Sequence, residues 1–274
     1  MKPQITRYRS LSQEQKLQIT TFVEQCCQHD HTRLVYPLEE KHCSHYLMTS
    51  PQGELLAVLA IILYPHSHVE CSAFTAPAHR KKGYFYDLMN EAEDEYEEYD
   101  VMFLVDETCQ DTVAAMDALG AEMDHHELQM ELEFRPADAA SADSPDSAAR
   151  AGAHDPAPDS PLSGLSLVSR KDRSVPGNLH WELFMEEKKG KKPLGSCQTL
   201  ALSTSHVCLH HMEILEKYRG KGYGTCLVDL LKEALAKDGI TRILLQVSDD
   251  NPSAIALYKK TGFLVTETLG CYLY

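Results

Sequence analysis

The sequence predicts an α/β chain made of two tandem copies of one unit, and three observations carry that prediction. The same order of apolar segments occurs twice, once on each side of residues 137–163. Gly120 and Gly262 fall at matching points of the two runs, 142 positions apart. Each run also sets a basic, glycine-bearing loop directly before an amphipathic stretch: "HRKKGYF" at 79–85 and "YRGKGYG" at 218–224. Self-similarity of this kind marks a duplicated architecture.

The elements follow in order. In the leading run, "HYLMT", "LLAVLAIILY" and "HVECSAFTAP" are apolar segments bounded by turn formers such as "PQG", so they read as strands. The basic loop gives way to a helix from Asp87. Next come the strand "VMFLVD", the helix "DTVAAMDALG" stopped by Gly120, and a last strand "ELQMELEF". The acidic run at 90–100, "NEAEDEYEEYD", reads as a solvated helix face. Residues 137–163 are rich in Ala, Asp, Ser and Pro and almost free of large apolar side chains. Such a segment does not offset its own ordering entropy, so a flexible linker is expected between domains at 1–136 and 164–274. In the tail run, "HWELFMEE", "LGSCQTLAL" and "HVCLHHMEIL" read as strands that lead into the glycine loop. Leu227, Val228, Leu231, Ala234 and Leu235 line one face of the following helix, and Asp238-Gly239 ends it. "ITRILLQV", the helix "NPSAIALYKKTG" and the strands "FLVTETL" and "CYLY" complete the copy.

Charge and composition exclude several classes of function. The 274 residues carry a net charge of −15. Residues 1–136 hold 10 Lys and Arg against 24 Asp and Glu, whereas 164–274 hold 15 against 12, so the tail run is the one suited to a polyanion. No basic stripe interleaved with aromatics occurs, which argues against nucleic acid as a partner. There is no apolar run of about eighteen residues, and the opening "MKPQITRYRSLSQEQ" has no apolar core. Neither a membrane span nor a leader is expected, and the expected location is cytoplasmic. Nine cysteines without a CxxC pair read as reduced, buried thiols. The clusters "HCSH" at 42–45 and "HSHVEC" at 66–71 lack a partnered pair at ligand spacing, so no metal is expected.

Three readings compete for Gly220, Gly222 and Gly224. A P-loop needs Gly-Lys followed by Ser or Thr, which "GKGYGTC" lacks. A dinucleotide fingerprint needs GxGxxG with an acid about twenty residues on. Here the spacing is GxGxG, and Gly239 and Ile240 stand in the acid's place. The third reading fits: a strand, then R-x-x-G-x-G, then a helix whose free N–H groups and dipole point at one spot. That suits a pyrophosphate, with Arg219 and Lys221 adding charge at the rim and glycine letting oxygens reach the backbone.

Together, "YRGKGYG" at 218–224 and "NPSAIALYKKTGF" at 251–263 resemble the acetyl-CoA motif and the following motif of the GCN5-related N-acetyltransferases, the GNAT superfamily. The resemblance covers 164–274 well and 1–136 in outline. It implies two tandem domains, each a mixed, mostly antiparallel sheet flanked by helices and split between its fourth and fifth strands. The activity it implies is transfer of an acetyl group from acetyl-CoA to an amine of a small molecule or peptide, with the chemistry in the tail domain. A non-catalytic acyl-CoA sensor is the alternative. Carried onto this sequence, the acetyl-CoA-binding set is Met212, Ile214, Arg219, Gly220, Lys221, Gly222, Tyr223, Gly224, Thr225, Asn251, Ala254 and Tyr258. Ile214 would act through its backbone, donating to the thioester carbonyl as negative charge develops. Tyr258 would hand a proton to the departing sulfur. For the base, His210 is favoured and Glu213 comes next, with bulk water as the remaining option. Strand alternation puts His210 on the face of Met212 and Ile214, with His211 and Glu213 opposite.

The leading run departs from the pattern. Phe85 stands where Gly224 stands and is expected to obstruct the phosphate cradle, and Met116 replaces Tyr258 and has no proton to give. This copy therefore reads as degenerate. In the tail run, "GLSLVSRKDRSVPGNLHWELF" leaves little room for the helices that wall the family's acceptor pocket. Either an open site for a large acceptor or a site completed by the leading half is expected.

Overall fold

A computed structural model describes residues 2–64, 68–135, 164–172, 175–187 and 190–274. The expected linker, 137–163, lies outside the described residues. The chain forms two compact units, one of residues 1–127 with 268–274 and one of 128–267. This division differs from one made at 136 and 164. Two strands, β6 (Glu122–Glu133) and β12 (Leu264–Leu273), each begin in one unit and end in the other.

In the first unit β1 (Gln4–Tyr8), β2 (Cys43–Thr49), β3 (Leu55–Leu63) and β4 (Val69–Thr75) pair antiparallel in sequence order. β5 (Val101–Val105) runs parallel to β4, and the end of β12 pairs antiparallel with β5 from Gly270↔Val105 to Leu273↔Met102. β3 is apolar without alternation because both of its faces are covered. α1 (Gln13–Asp30) covers one face, packing Ile19, Phe22, Val23 and Cys26 on Leu47, Val58, Ala60 and Ile62. It starts at a capping box: Ser12 Oγ accepts from Gln15 N, and Gln15 Oε1 accepts from Ser12 N at 2.8 Å. α2 (Tyr84–Ala92) and α3 (Gln110–Leu119) cover the other face, with Leu88, Met89 and Met116 against Tyr46, Leu59, Ile61 and Phe103. The acidic run is not a solvated helix face throughout. α2 stops at Ala92, and Glu95 turns inward to accept from Ser44 Oγ (2.6 Å) and Tyr46 OH (2.5 Å) while pairing with Arg7 and Arg9.

The second unit repeats this order with one omission. β7 (Leu165–Lys171), β8 (Asn178–Glu187), β9 (Gly190–Ala201) and β10 (His206–Ile214) pair antiparallel. β11 (Arg242–Ser248) runs parallel to β10, and β6 lies beside β11. α4 (Tyr223–Lys237) and α5 (Pro252–Lys260) lie on one face of this sheet. Leu227, Val228, Leu231 and Leu235 of α4 are buried against Trp181, Leu183, Leu209, Ile243 and Leu245. Each such side chain gains about 1.5–3 kcal/mol on leaving water. Only positions 172–177 separate β7 from β8 in sequence, and among the described residues no counterpart of α1 covers the opposite face. That face is accordingly polar: Arg170, His180, Gln198 and His210 follow one another across paired strands, and Glu182 stands two residues along β8 from His180. Among the described residues, no helix is long and apolar enough to cross a membrane.

Candidate active site

Pairing between β10 and β11 is short, from His206 to Cys208 opposite Arg242 to Leu244. Beyond Cys208 a cleft opens between the fourth and fifth strands of the unit. On its other side β10 stays with β9 as far as Ile214↔Gly195. Leu215 N donates to Leu194 O (2.9 Å), which makes Ile214 and Gly195 a non-hydrogen-bonded pair. The N–H and C=O of Ile214 therefore point away from β9, into the cleft. Its carbonyl accepts from Arg219 Nε at 2.9 Å, and its N–H remains a donor there. Gly195 permits the approach of the two strands, because a Cβ on it would lie 2.4 Å from Glu213 O and 2.7 Å from Ile214 Cδ1.

After β10, a 3-10 turn at Glu216–Tyr218 carries the chain to Gly220 (φ +73°) and Gly222 (φ +85°), both left-handed as side-chain-free residues allow. Gly222 is the N-cap of α4 and offers no side-chain cap; the first N–H bonded back to the loop is that of Cys226, to Gly222 O at 3.2 Å. The N–H groups of Tyr223, Gly224 and Thr225 are thus orphan donors at the positive end of the helix. A Cβ on Gly222 would meet nothing within 4 Å, so the space before these donors is open. Gly224 differs: a Cβ there would lie 3.0 Å from Leu257 Cδ2, so this glycine serves the packing of α4 on α5. Lys221 Nζ donates to Lys217 O (3.0 Å). Lys192, Lys217 and Lys221 stand 5.5, 5.0 and 5.8 Å from the centre of the Tyr218 ring. Burial works to raise the Tyr218 phenol, yet Lys192 and Lys217 hold it below its ordinary value. The loop therefore carries more positive charge than Arg219 and Lys221 alone supply, and its open cradle of N–H donors fits a pyrophosphate.

Tyr258 of α5 is buried against Phe263, ring centroids 5.4 Å apart, and its hydroxyl donates to Met212 Sδ at 3.8 Å. Burial, with the Cys197 thiol nearby, pushes its phenol up to about 12, so the proton is held at neutral pH. Asn251 is the N-cap of α5: its Oδ1 accepts from Ala254 N (3.1 Å) and Ser253 Oγ (3.0 Å). That oxygen is committed to the helix start, and Ala254 is half-buried behind it.

Strand alternation does not hold where the candidate bases lie. Between His210↔Gln198 and Glu213↔Ser196, β10 carries one extra residue, and His211 takes a left-handed φ of +50°. The bulge shifts the alternation by one position. Met212 and Ile214 join Val207 and Leu209 against the core, whereas His210 and Glu213 share the polar face, contrary to the grouping of His210 with Met212 and Ile214. His210 Nε2 is 3.1 Å from Asn178 Oδ1, and its Nδ1 is 2.7 Å from His211 Nδ1. Burial first, and His211 second, hold the His210 imidazole below its usual value. Glu213 is 62% exposed and pairs with Arg219 at 3.4 Å, so solvent screens it. Motif reading misses Asn178 and Gln198, and it places His211 on the strand without giving it a role; the adjacent histidines are the one mark of this cluster in the sequence.

The leading loop has the same backbone and different electrostatics. Gly83 (φ +82°) caps α2 as Gly222 caps α4, again facing open space. Phe85 does not obstruct that space. Its ring turns into the core and meets Phe103 edge-on at 6.1 Å, with the small Ala115 standing where the tail has Leu257. The difference lies in the charges of the loop, which carboxylates engage. Arg80 donates from Nη1 and Nη2 to Asp30 (2.7 and 2.6 Å) and from Nη1 to Asp111 (3.3 Å), and Lys81 pairs with Asp111 (3.1 Å). Burial would raise the Asp30 carboxyl, but Arg80 draws it below the ordinary range. Asp111 occupies the place of Ser253 in the tail, and Met116 is buried in the core.

Residues 10–120 and 160–263 match the Acetyltransferase (GNAT) family. Over 73 residues the chain is 34% identical to the uncharacterized N-acetyltransferase YobR of Bacillus subtilis (strain 168), a stretch that is 27% of this chain and 30% of that protein. The match thus spans less than a third of that relative's length. A GCN5-related N-acetyltransferase from Sphaerobacter thermophilus superposes with a TM-score of 0.71 at 13% identity, covering 98% of this chain and 95% of the other. A tandem GNAT protein from the clavulanic acid biosynthesis pathway does so with a TM-score of 0.66 at 12% identity, covering 99% and 98%. At these identities the likeness is one of fold.

Proposed function

The chain belongs to the Acetyltransferase (GNAT) family, and from that premise we propose that its 128–267 unit moves an acetyl group from acetyl-CoA to an amine of a small molecule or peptide. One observation carries the reading: the N–H of Ile214 is turned away from β9 into the cleft, on the strand that meets α4 at Gly224 and the protonated phenol of Tyr258 at Met212.

Each residue then has a distinct task. The N–H groups of Tyr223, Gly224 and Thr225 bind the pyrophosphate, with Arg219, Lys192, Lys217 and Lys221 adding charge around them. Acetyl-CoA supplies the thioester. Ile214 N–H donates to its carbonyl oxygen, the atom on which negative charge grows. The amine nitrogen bonds to the carbonyl carbon, the C–S bond breaks, and Tyr258 passes its phenol proton to the sulfur. An ammonium that becomes an amide loses two protons, one of which restores Tyr258 while the other leaves to solvent. In the leading unit Arg80 and Lys81 are already paired with Asp30 and Asp111, which disfavours a second pyrophosphate there.

The test uses the full chain, acetyl-CoA and a panel of polyamines, amino sugars, amino acids and short peptides, with thiol release as the signal. Release that depends on an added amine is expected. Tight acetyl-CoA binding by calorimetry, with no amine in the panel raising thiol release, would instead favour a sensor.

A further inference from the structure

We propose that His211 takes the proton from the incoming amine, and that Asn178 and His210 are positioning residues that fix its tautomer. The inference rests on the acetyl-transfer reading above and names a group that the two candidate bases, His210 and Glu213, leave out.

A chain of hydrogen bonds determines where each proton sits. Asn178 is buried, and its Nδ2 lies 3.1 Å from Asp172 Oδ2 and 2.9 Å from Gln198 Oε1. An ionised carboxylate only accepts, so the group facing Asp172 must be the amide NH2 and the group facing His210 must be the amide oxygen. That oxygen also only accepts. His210 therefore carries its proton on Nε2, donated to Asn178 Oδ1 at 3.1 Å. A neutral imidazole has one N–H, which leaves His210 Nδ1 as a lone pair. The atom 2.7 Å from that lone pair, His211 Nδ1, must then be the donor. With its proton on Nδ1, His211 presents a bare Nε2 as the acceptor end of the chain.

The backbone holds this end in place. His211 is the extra residue of the bulge in β10, in the left-handed region at φ +50°, and its ring meets that of His210 edge-on at 4.9 Å between centroids. It is exposed, whereas His210 is half-buried with both nitrogens engaged. Ionisable groups on the same face are Asp172, reached through Asn178; Arg170 on β7, which pairs with Glu182; His180 and Glu182 on β8; and Glu213 with its partner Arg219 beyond the bulge. An ammonium that gives one proton to His211 Nε2 becomes the neutral nucleophile. The resulting imidazolium keeps its Nδ1–H on His210, a base oriented by a neighbouring side chain. The proton then leaves to solvent, and the amide and thiol form as described above.

Two measurements on the full chain test the proposal. Long-range proton–nitrogen spectra of histidine-labelled protein, assigned with single His→Gln variants, should show His210 protonated on Nε2 and His211 on Nδ1. His211→Gly suits the left-handed backbone and leaves room for a free base. It should lower kcat/KM for an accepted amine about 10²-fold, leave acetyl-CoA affinity unchanged, and recover part of the rate in added imidazole. His211 protonated on Nε2, or a His211→Gly enzyme with wild-type turnover, would overturn the assignment while the acetyl-transfer reading stands. If the wild-type chain turns over no amine of the panel, that reading fails and takes the assignment with it.

Discussion

At the scale of single residues, the chemistry of the candidate site turns on groups that burial keeps in one protonation state. Tyr258 is the clearest. Its phenol is buried beside β10, pushed up to about 12, and among the described residues it donates to a thioether sulfur, that of Met212. A weakly engaged proton in an apolar setting is available to a better acceptor, such as a departing thiolate. Tyr258→Phe removes one oxygen from a site where it makes a single long contact, so folding should change little. Turnover at saturating acetyl-CoA and amine should fall about 10²-fold, with acetyl-CoA affinity by calorimetry within a factor of two or so. An unchanged rate would remove Tyr258 from the proton path. Tyr258 is legible in the sequence because it lies within "NPSAIALYKKTGF", the second of the two motifs that carry the family resemblance. The side of β10 to which each neighbour turns is not legible, because a period of two predicts faces only in an unbroken strand. A single left-handed histidine reverses the assignment of everything after it, and the mild left-handed tendency of histidine does not single out His211 from His210 beside it.

Elements set these residues against one another, and glycines are where the sequence shows it best. Gly222 and Gly83 cap α4 and α2 with nearly equal φ, +85° and +82°, and both face open space. A side chain at either position carries the same left-handed strain, about 1–2 kcal/mol, so the pair of variants isolates the ligand. Gly222→Glu places a carboxylate before the orphan donors of α4, and both acetyl-CoA binding and turnover should disappear. Gly83→Glu places one beside Arg80 and Lys81, which are already paired, and should leave thiol release near wild type. Loss of binding from folded Gly83→Glu, with Gly222→Glu still active, would move the chemistry to the leading unit. The strand pair β9–β10 supplies a second test. Gly195→Ala forces a methyl to within 2.4 Å of Glu213 O, so the strands must part at Ile214 and shift the N–H that it turns into the cleft. Overpacking of this kind costs about 1–3 kcal/mol, and the rate should fall further than the loss of stability accounts for. The glycine loop itself is legible from spacing. The reason the leading copy differs is not, because Asp30 lies fifty residues before Arg80 in sequence and only the folded α1 brings it there.

For the whole molecule, the duplication is plain in the sequence and the exchange of strands is not. "ELQMELEF" and "CYLY" are recognisable as strands, and in sequence order each closes its own copy. Their partners are set by pairings as distant as Glu107 with Tyr272, 165 residues apart, and pairing at that range leaves no local mark. The consequence can be tested by cutting the chain within 137–163. A 1–136 piece lacks residues 268–274, and so loses buried Leu269, Cys271 and Tyr272 together with the reciprocal backbone bonds between Val101 and Tyr274. A 164–274 piece lacks Met130 and Leu132, which are buried in the core beneath α4 and α5. Losing two or three fully buried side chains removes about 1.5–3 kcal/mol each, from a total that is about 5–15 kcal/mol for an ordinary domain. Either piece alone should therefore show no cooperative thermal transition by circular dichroism. Mixed or co-expressed, the two pieces should regain one, together with acetyl-CoA binding. A 164–274 piece that melts cooperatively and releases thiol on its own would mean that β6 is dispensable to the tail unit, and that the duplicated copies close independently.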